Sequence, residues 1–218
     1  MSKTRICRRR FLKTGCLTMA TAGLAICGIS GIVPGPPPFD LSTHTYGETN
    51  MNNRILVAYA TATGSTVDVA SAIGETLAGH SLSVDVRPIQ EEPQIGDYQA
   101  VLLGSAVQHG NWLPEAVDFV KDNEQALNRV PVALFCVHIQ NRGHDEISRQ
   151  NRLAYLDEVR PLLKPVAEGY FGGRFNRHGA ALLMPGLLAR FVPTIDLRNW
   201  EKIQAWTDSL TLILRQPA

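Results

Sequence analysis

The sequence predicts an α/β fold, a doubly wound five-stranded parallel sheet of order 2-1-3-4-5 with helices on both faces. Three observations predict it. From residue 55 onward, short apolar runs alternate with segments of helical spacing. Strands separated by helices in this way run parallel and are joined by right-handed crossovers. The hydroxyl-rich run Thr61–Thr66 stands directly between the first strand and the first helix, where open sheets of this kind place a ligand.

Each element has its own signature. Ile55-Leu56-Val57-Ala58-Tyr59 is a short apolar run, expected to be a buried first strand. Thr61 to Gly64 reads as a turn, and Val67, Ala70, Ile73 and Leu77 recur at helical spacing over 67–77. Leu82-Ser83-Val84-Asp85-Val86 alternates as a second strand, and Ala100 to Leu103 makes a third that stops at Gly104. Residues 114–127 are expected to be helical, with Pro114 suited to the first turn. Val130 to Val137 is the fourth strand, Ser148 to Leu163 a helix, and Val166 to Phe171 the fifth strand. Trp200 to Leu214 closes the pattern as a helix with Trp200, Ile203, Trp206 and Leu210 on one side.

The chain of 218 residues is long enough for one sizeable domain and an appendage. Its net charge of +1 hides two unlike parts. Residues 1–53 carry six Lys and Arg against two acids, while residues 54–218 carry 15 against 18. A mildly acidic body argues against a nucleic-acid partner. Of the four cysteines, Cys7, Cys16 and Cys27 precede residue 54, so the body has only Cys136 and no internal disulfide. Redox chemistry, if present, therefore needs a bound cofactor.

Residues 8–13, Arg8-Arg9-Arg10-Phe11-Leu12-Lys13, resemble a twin-arginine export signal, with Cys7 where Ser or Thr is usual. A charge-free stretch from Thr14 to Val33 follows, which suits an export segment or a membrane anchor of about 30 Å. The body is then expected outside the cytoplasmic membrane, or in the cytoplasm if translation starts at Met51. Leu24-Ala25-Ile26-Cys27 is an imperfect lipobox, which leaves cleavage, lipidation and retention open. Pro34-Gly35-Pro36-Pro37-Pro38 and the polar run to Asn53 are expected to be a linker, giving 1–33 as leader, 34–53 as linker and 54–218 as domain.

Three loops at the carboxyl ends of strands 1, 3 and 4 are the places for chemistry. The first, Thr61-Ala62-Thr63-Gly64-Ser65-Thr66, opens a helix, where hydroxyls, backbone N–H groups and the helix dipole suit a phosphate. No lysine follows Gly64 and GxGxxG is missing, so neither a triphosphate loop nor a dinucleotide fold is indicated. An ordinary helix N-cap would also use these residue types. The second loop, Gly104 to Trp112, offers Ser105, Ala106, Gln108, His109, Gly110 and Trp112, with Trp112 either stacking on a planar ligand or packing beneath the next helix. His109 is the candidate for relaying protons. The third, Val137 to Asp145, includes His138 and Asn141.

Thr61-x-Thr63-Gly64-x-Thr66 resembles the phosphate loop of flavodoxins. The resemblance implies a flavodoxin-like fold, FMN as cofactor, its phosphate on Thr61, Thr63, Gly64, Ser65 and Thr66, and its ring between the second and third loops. Gly104-Ser105-Ala106-Val107-Gln108-His109-Gly110 and Asp196-Leu197-Arg198-Asn199-Trp200-Glu201 are similar to the menaquinone-dependent protoporphyrinogen oxidase branch. That similarity implies an FMN oxidoreductase with a quinone, and a porphyrinogen, as partners. An electron carrier without turnover of its own, or a flavin-free binding module on the same fold, are the alternatives. The apolar stretch 180–191, flanked by Arg174, Arg177 and Arg190, is a candidate for membrane or quinone contact, as residues 14–33 are for the membrane, or else a helix packed on the sheet edge.

Overall fold

The computed structural model describes residues 41–47, 54–175, 191 and 193–214. The leader 1–33 and the stretch 180–190, with the expectations placed on them, lie outside the described residues. Among the described residues no helix is long and apolar enough to cross a membrane.

Strands β1 (His44–Tyr46), β2 (Arg54–Ala60), β3 (Ser83–Pro88), β4 (Ala100–Gln108), β6 (Val132–His138) and β7 (Ala167–Gly172) lie in the order β1-β3-β2-β4-β6-β7. The short strand β5 (Asn111–Trp112) folds back on the end of β4. The last five strands of that order are parallel, so the expected 2-1-3-4-5 arrangement is present. Its winding reverses at β2 and β4, where Ile55 pairs with Ala100 and Ala60 with Ser105.

Helices cover both faces, which is why the strands read as continuous apolar runs instead of alternating ones. Along β2, Ile55, Val57 and Tyr59 face one layer, built with Ala70, Ile73 and Leu77 of α1 (Ser65–Gly79) and Ile203, Leu210 and Leu214 of the last helix. Leu56 and Ala58 face the other, with Val117 and Val120 of α2 (Pro114–Asp122), Leu127 of α3 (Glu124–Leu127) and Leu156 and Val159. Each fully buried side chain of this size contributes about 1.5–3 kcal/mol from desolvation. α4 (Glu146–Ala154) buries none of its residues. A two-stranded sheet of β8 (Arg174–Phe175) and β9 (Ile195–Asp196) follows β7, and α5 (Trp200–Leu214) completes the order.

Several expectations change. The segment 34–53, expected to be linker, supplies β1, which pairs antiparallel with β3. Tyr46 packs on Gly74 of α1, where an added Cβ would come within 2.9 Å of its ring, and the Tyr59 hydroxyl donates to Ser42 O at 3.0 Å. The third strand runs past Gly104 to Gln108 because that glycine is a packing position and no turn: a Cβ there would lie 2.0 Å from the Phe135 ring. The helix expected over 114–127 breaks at Asn123, whose Nδ2 donates to Phe119 O at 2.9 Å. The helix expected over 148–163 begins earlier, where the Asp145 side chain accepts from Ser148 N at 2.8 Å, and ends at Ala154. Pro161 disfavours helix in the residue before it. Trp200 is exposed instead of joining Ile203 and Leu210, and lies 4.6 Å beneath the Arg198 guanidinium.

One charged group sits inside the sheet. Asp85 of β3 is 3% exposed and accepts from Thr45 Oγ1 at 2.9 Å, Arg54 at 2.5 Å and the Tyr98 hydroxyl at 2.9 Å. Burial alone would raise its carboxyl, but the hydrogen bonds from Thr45, Arg54 and Tyr98 outweigh it and hold the group below the usual carboxylate range. Tyr98 is pushed up to about 12, first by burial and then by Asp85. The network ties β1, β2 and β3 together at their shared edge.

Candidate functional site

A cleft enclosing about 90 Å³, open to solvent on one side, lies at the carboxyl ends of β2, β4 and β6. Its first wall is the loop between β2 and α1, which contributes Ala62, Thr63 and Ser65. Gly64 takes φ 88°, a left-handed conformation that glycine adopts without strain, and stands at the N-cap of α1. No side chain caps this helix. Thr61 Oγ1 accepts instead from Gly64 N at 3.0 Å and closes the loop on itself. The N-terminal N–H groups of α1 therefore face the loop with the positive end of the helix dipole behind them.

The loop divides its residues. Thr63 and Ser65 line the cleft, while Thr61 and Thr66 are buried behind them. Thr66 Oγ1 is enclosed and has no hydrogen-bond partner. A buried hydroxyl left unpaired costs about 1–3 kcal/mol, so its retention needs a reason outside the fold's own bonding.

The second wall is the end of β4, where Ala106, Val107 and Gln108 reach the cleft. Ser105 does not reach it: its hydroxyl donates to Ala106 O at 2.8 Å and accepts from Leu113 N at 3.1 Å, fixing the start of α2. His109 and Gly110, at φ 53° and 86°, form the tight turn between β4 and β5. His109 opens onto a neighbouring groove with Asn111, Asp118 and Lys121 instead of onto this cleft. Trp112, the candidate for stacking on a ligand, is 3% exposed, and its Nε1 donates to Cys136 Sγ at 3.1 Å. The indole belongs to the core beneath α2, the second of the two placements the sequence left open. Cys136 is pushed up to about 12 by burial, against the lowering effect of the indole N–H.

The third wall is the end of β6, with Val137, His138 and Ile139. The His138 ring is buried, 5.4 Å from the Tyr155 ring, and its Nδ1 lies 2.6 Å from Gln140 O. A carbonyl only accepts, so the proton sits on Nδ1 and Nε2 is left as an acceptor. Burial lowers the imidazole's pKa, and Arg152, Lys202 and Arg142 lower it further against the raising effect of Gln140 O. Asn141 lies away from the cleft. Its amide donates to the Tyr155 hydroxyl at 2.7 Å and accepts from Asn151 at 3.2 Å, bracing the loop at a positive φ of 54°.

The last wall was not anticipated from sequence. Gly173, Arg174 and Phe175, just past β7, close the cleft. Gly173 N donates to His138 O at 2.8 Å, and a Cβ at Gly173 would come within 3.0 Å of Val137 and 3.2 Å of Ser65 Oγ. The signal was available in the topology, since strand 5 leaves the sheet beside strand 4. Ala62, Val107, Ile139 and Phe175 make much of the wall apolar, and no composition argument singles them out.

The flavodoxin domain family matches residues 56–182. Over 99 residues the chain is 29% identical to protoporphyrinogen IX dehydrogenase (quinone) of Escherichia coli strain K12, covering 44% of this chain and 55% of that protein. A Leishmania major protein of the same name is 28% identical over 96 residues, covering 43% and 42%. The chain thus spans about half the length of the curated relatives it matches. Among solved structures it is similar to a flavodoxin from the domain Archaea, with 14% identity, a TM-score of 0.47 and coverage of 75% and 99%. Oxidised flavodoxin 2 from Bacillus cereus gives 19%, 0.48, 73% and 99%. The family match runs from β2 past β8, more than half of the chain, and takes in every wall of the cleft. The chain belongs to the flavodoxin domain family.

Proposed function

We propose that this chain is an FMN-dependent oxidoreductase that oxidises a porphyrinogen-type substrate and delivers the electrons to a quinone. The observation that carries the flavin reading is the unpartnered Thr66 Oγ1 in a hydroxyl-rich loop at an uncapped helix N-terminus. That donor set fits a phosphate monoester: Thr63 and Ser65 face the cleft, Thr66 has a hydroxyl to give, and the first N–H groups of α1 add directed donors. The porphyrinogen and quinone assignments are supported by the 29% identity to proteins named for that reaction.

FMN, when bound, would supply the two-electron chemistry that these side chains lack. The chain's own residues would do the rest. Ala62, Ala106, Val107 and Phe175 give the cleft an apolar wall suited to a planar ring. His138, held with its proton on Nδ1 toward Gln140 O, keeps Nε2 free to take a proton. Its lowered pKa keeps it neutral near pH 7, and its place on the cleft wall makes it better sited for that task than His109.

We also propose that the Arg8-Arg9 pair directs export by the twin-arginine route, which carries proteins already folded. Replacing both with lysine is expected to leave the protein in the cytoplasm, and unchanged export of that variant would remove the proposal.

The test of function begins with the visible absorption spectrum of the purified full chain and the mass of the cofactor it releases. Near-stoichiometric FMN followed by oxidation of protoporphyrinogen with menaquinone supports the reading. Bound FMN without turnover leaves the electron-carrier alternative. A colourless chain that stays colourless after FMN is added overturns the flavin reading.

A further inference from the structure

We infer that Arg174 reads the charged end of the cofactor, so that the cleft selects a phosphorylated flavin over an unphosphorylated one; the inference rests on the flavin reading above. A phosphate monoester carries close to two negative charges near neutral pH, with a second pKa of about 6. An isolated helix N-terminus offers only about half a positive charge. The phosphate loop itself holds no Lys or Arg, and Asp68, one turn into α1, opposes an anion. A cation from elsewhere in the fold would add charge to a loop that supplies only neutral donors.

Arg174 is the one Lys or Arg on the cleft wall among the described residues, and it shares that wall with Thr63 and Ser65. Its backbone is held against the loop. Gly173 N donates to His138 O at 2.8 Å, Gly173 O accepts from Leu197 N at 3.0 Å, and Arg174 pairs with Asp196 across β8 and β9. Its side chain, in contrast, is loosely engaged. The Arg198 guanidinium grips Asp196 through Nε at 2.8 Å and Nη2 at 2.5 Å, and reaches Asp68 through Nη1 at 2.5 Å. Arg174 Nη2 stands 3.5 Å from Asp68 Oδ2, longer than a charge-assisted hydrogen bond. Its Nε is buried with no partner, although the side chain as a whole remains 35% exposed.

Both carboxylates at this corner are thus already satisfied by Arg198, and the second guanidinium is surplus to them. A surplus cation beside a hydroxyl loop, one of whose own hydroxyls is also unpaired, is a two-part receptor for an oxyanion. Arg174 can transfer from Asp68 to a phosphate without leaving a carboxylate unpaired, because Arg198 stays on Asp68. The set of residues places the selectivity of the site on a segment outside the phosphate loop.

The test compares FMN with riboflavin in titrations of the full flavin-free chain, followed by quenching of flavin fluorescence. Wild type is expected to prefer FMN. R174Q is expected to weaken FMN at least about tenfold, the loss of one charge-assisted contact, while riboflavin changes less than about twofold. Unchanged riboflavin binding also shows that the cleft still folds. R174K, which keeps the charge, should recover part of the preference. Equal weakening of both flavins, or of neither, in R174Q overturns the inference. Wild type that binds both flavins equally also overturns it while leaving the flavin reading in place, and wild type that binds neither overturns both.

Discussion

Thr66→Val removes the unpaired hydroxyl of the phosphate loop and leaves the shape of the side chain almost unchanged. Thr66 is wholly buried, its Oγ1 has no partner, and it lies in the first turn of α1. A buried hydroxyl without a hydrogen bond costs about 1–3 kcal/mol relative to an apolar group of the same volume. Valine and threonine differ little in helix propensity, so no opposing term of that size arises from the backbone. The flavin-free variant should therefore be more stable than wild type. In a domain of this size each kcal/mol raises the melting temperature by about 2–4 °C. Binding should move the other way. A hydrogen bond to a charged acceptor is worth about 1.5–3 kcal/mol, so FMN affinity should fall roughly ten- to hundredfold. Thermal unfolding of the flavin-free chain by circular dichroism and a fluorescence titration with FMN measure the two effects separately. A variant that melts below wild type would show that the hydroxyl serves the fold. Unaltered FMN affinity would show that the loop does not use it. Either result refutes the reasoning.

Four further outcomes follow from the geometry. Gly104→Ala drives a Cβ to within 2.0–2.4 Å of the Phe135 ring at the β4–β6 pairing, and overpacking of this kind should cost about 1–3 kcal/mol in urea denaturation. Asp85 titrates below its unfolded value, so its contribution is fully present above the ordinary carboxylate pKa of about 3.9 and is lost as pH falls through the folded value. Urea midpoints between pH 7 and 2 should therefore fall less steeply in Asp85→Asn than in wild type, and parallel curves would contradict the network's role. A chain beginning at residue 51 lacks β1 and the Ser42 acceptor of Tyr59, which bares the edge of β3. It should be less stable than a chain beginning at residue 41, and more prone to associate on gel filtration. Trp112→Phe removes the N–H donated to Cys136 but changes no wall of the cleft, so stability should drop by about 1 kcal/mol while FMN affinity holds. A large loss of FMN affinity would return the indole to the site.

Much of the architecture was legible because two periods are hard to confuse. Val67, Ala70, Ile73 and Leu77 lie at helical spacing, and the runs at 55–59 and 130–137 lie between turn signals. The position of Thr61–Thr66 after the first strand followed from topology, and so did the loop's place in the cleft. What escaped reading depends on contacts that no local pattern encodes. β1 is three residues, His44-Thr45-Tyr46, and it is a strand only because β3 offers an unpaired edge and Gly74 leaves room for a tyrosine ring. Gly104 looked like a stop signal, whereas its missing Cβ makes space for a phenylalanine from the next strand. Trp112 and His109 lie three residues apart and border one groove beside the cleft, yet the indole is buried while His109 stands exposed in the two-residue turn. Arg174 and Phe175 joined the site through the exit of the fifth strand, more than 100 residues from the phosphate loop they face.

The contact between Trp112 and Cys136 bears on where such a domain can work. Burial pushes the thiol well above neutral pH, so it stays protonated there, and the thiolate is the form that attacks disulfides and is oxidised. Here the thiol is also sealed beneath an indole, with no other cysteine in the body. Neither glutathione nor an oxidising catalyst finds a nucleophile to engage. The body therefore has no disulfide to gain or lose between reducing and oxidising surroundings, and two-electron redox chemistry there falls to a bound group.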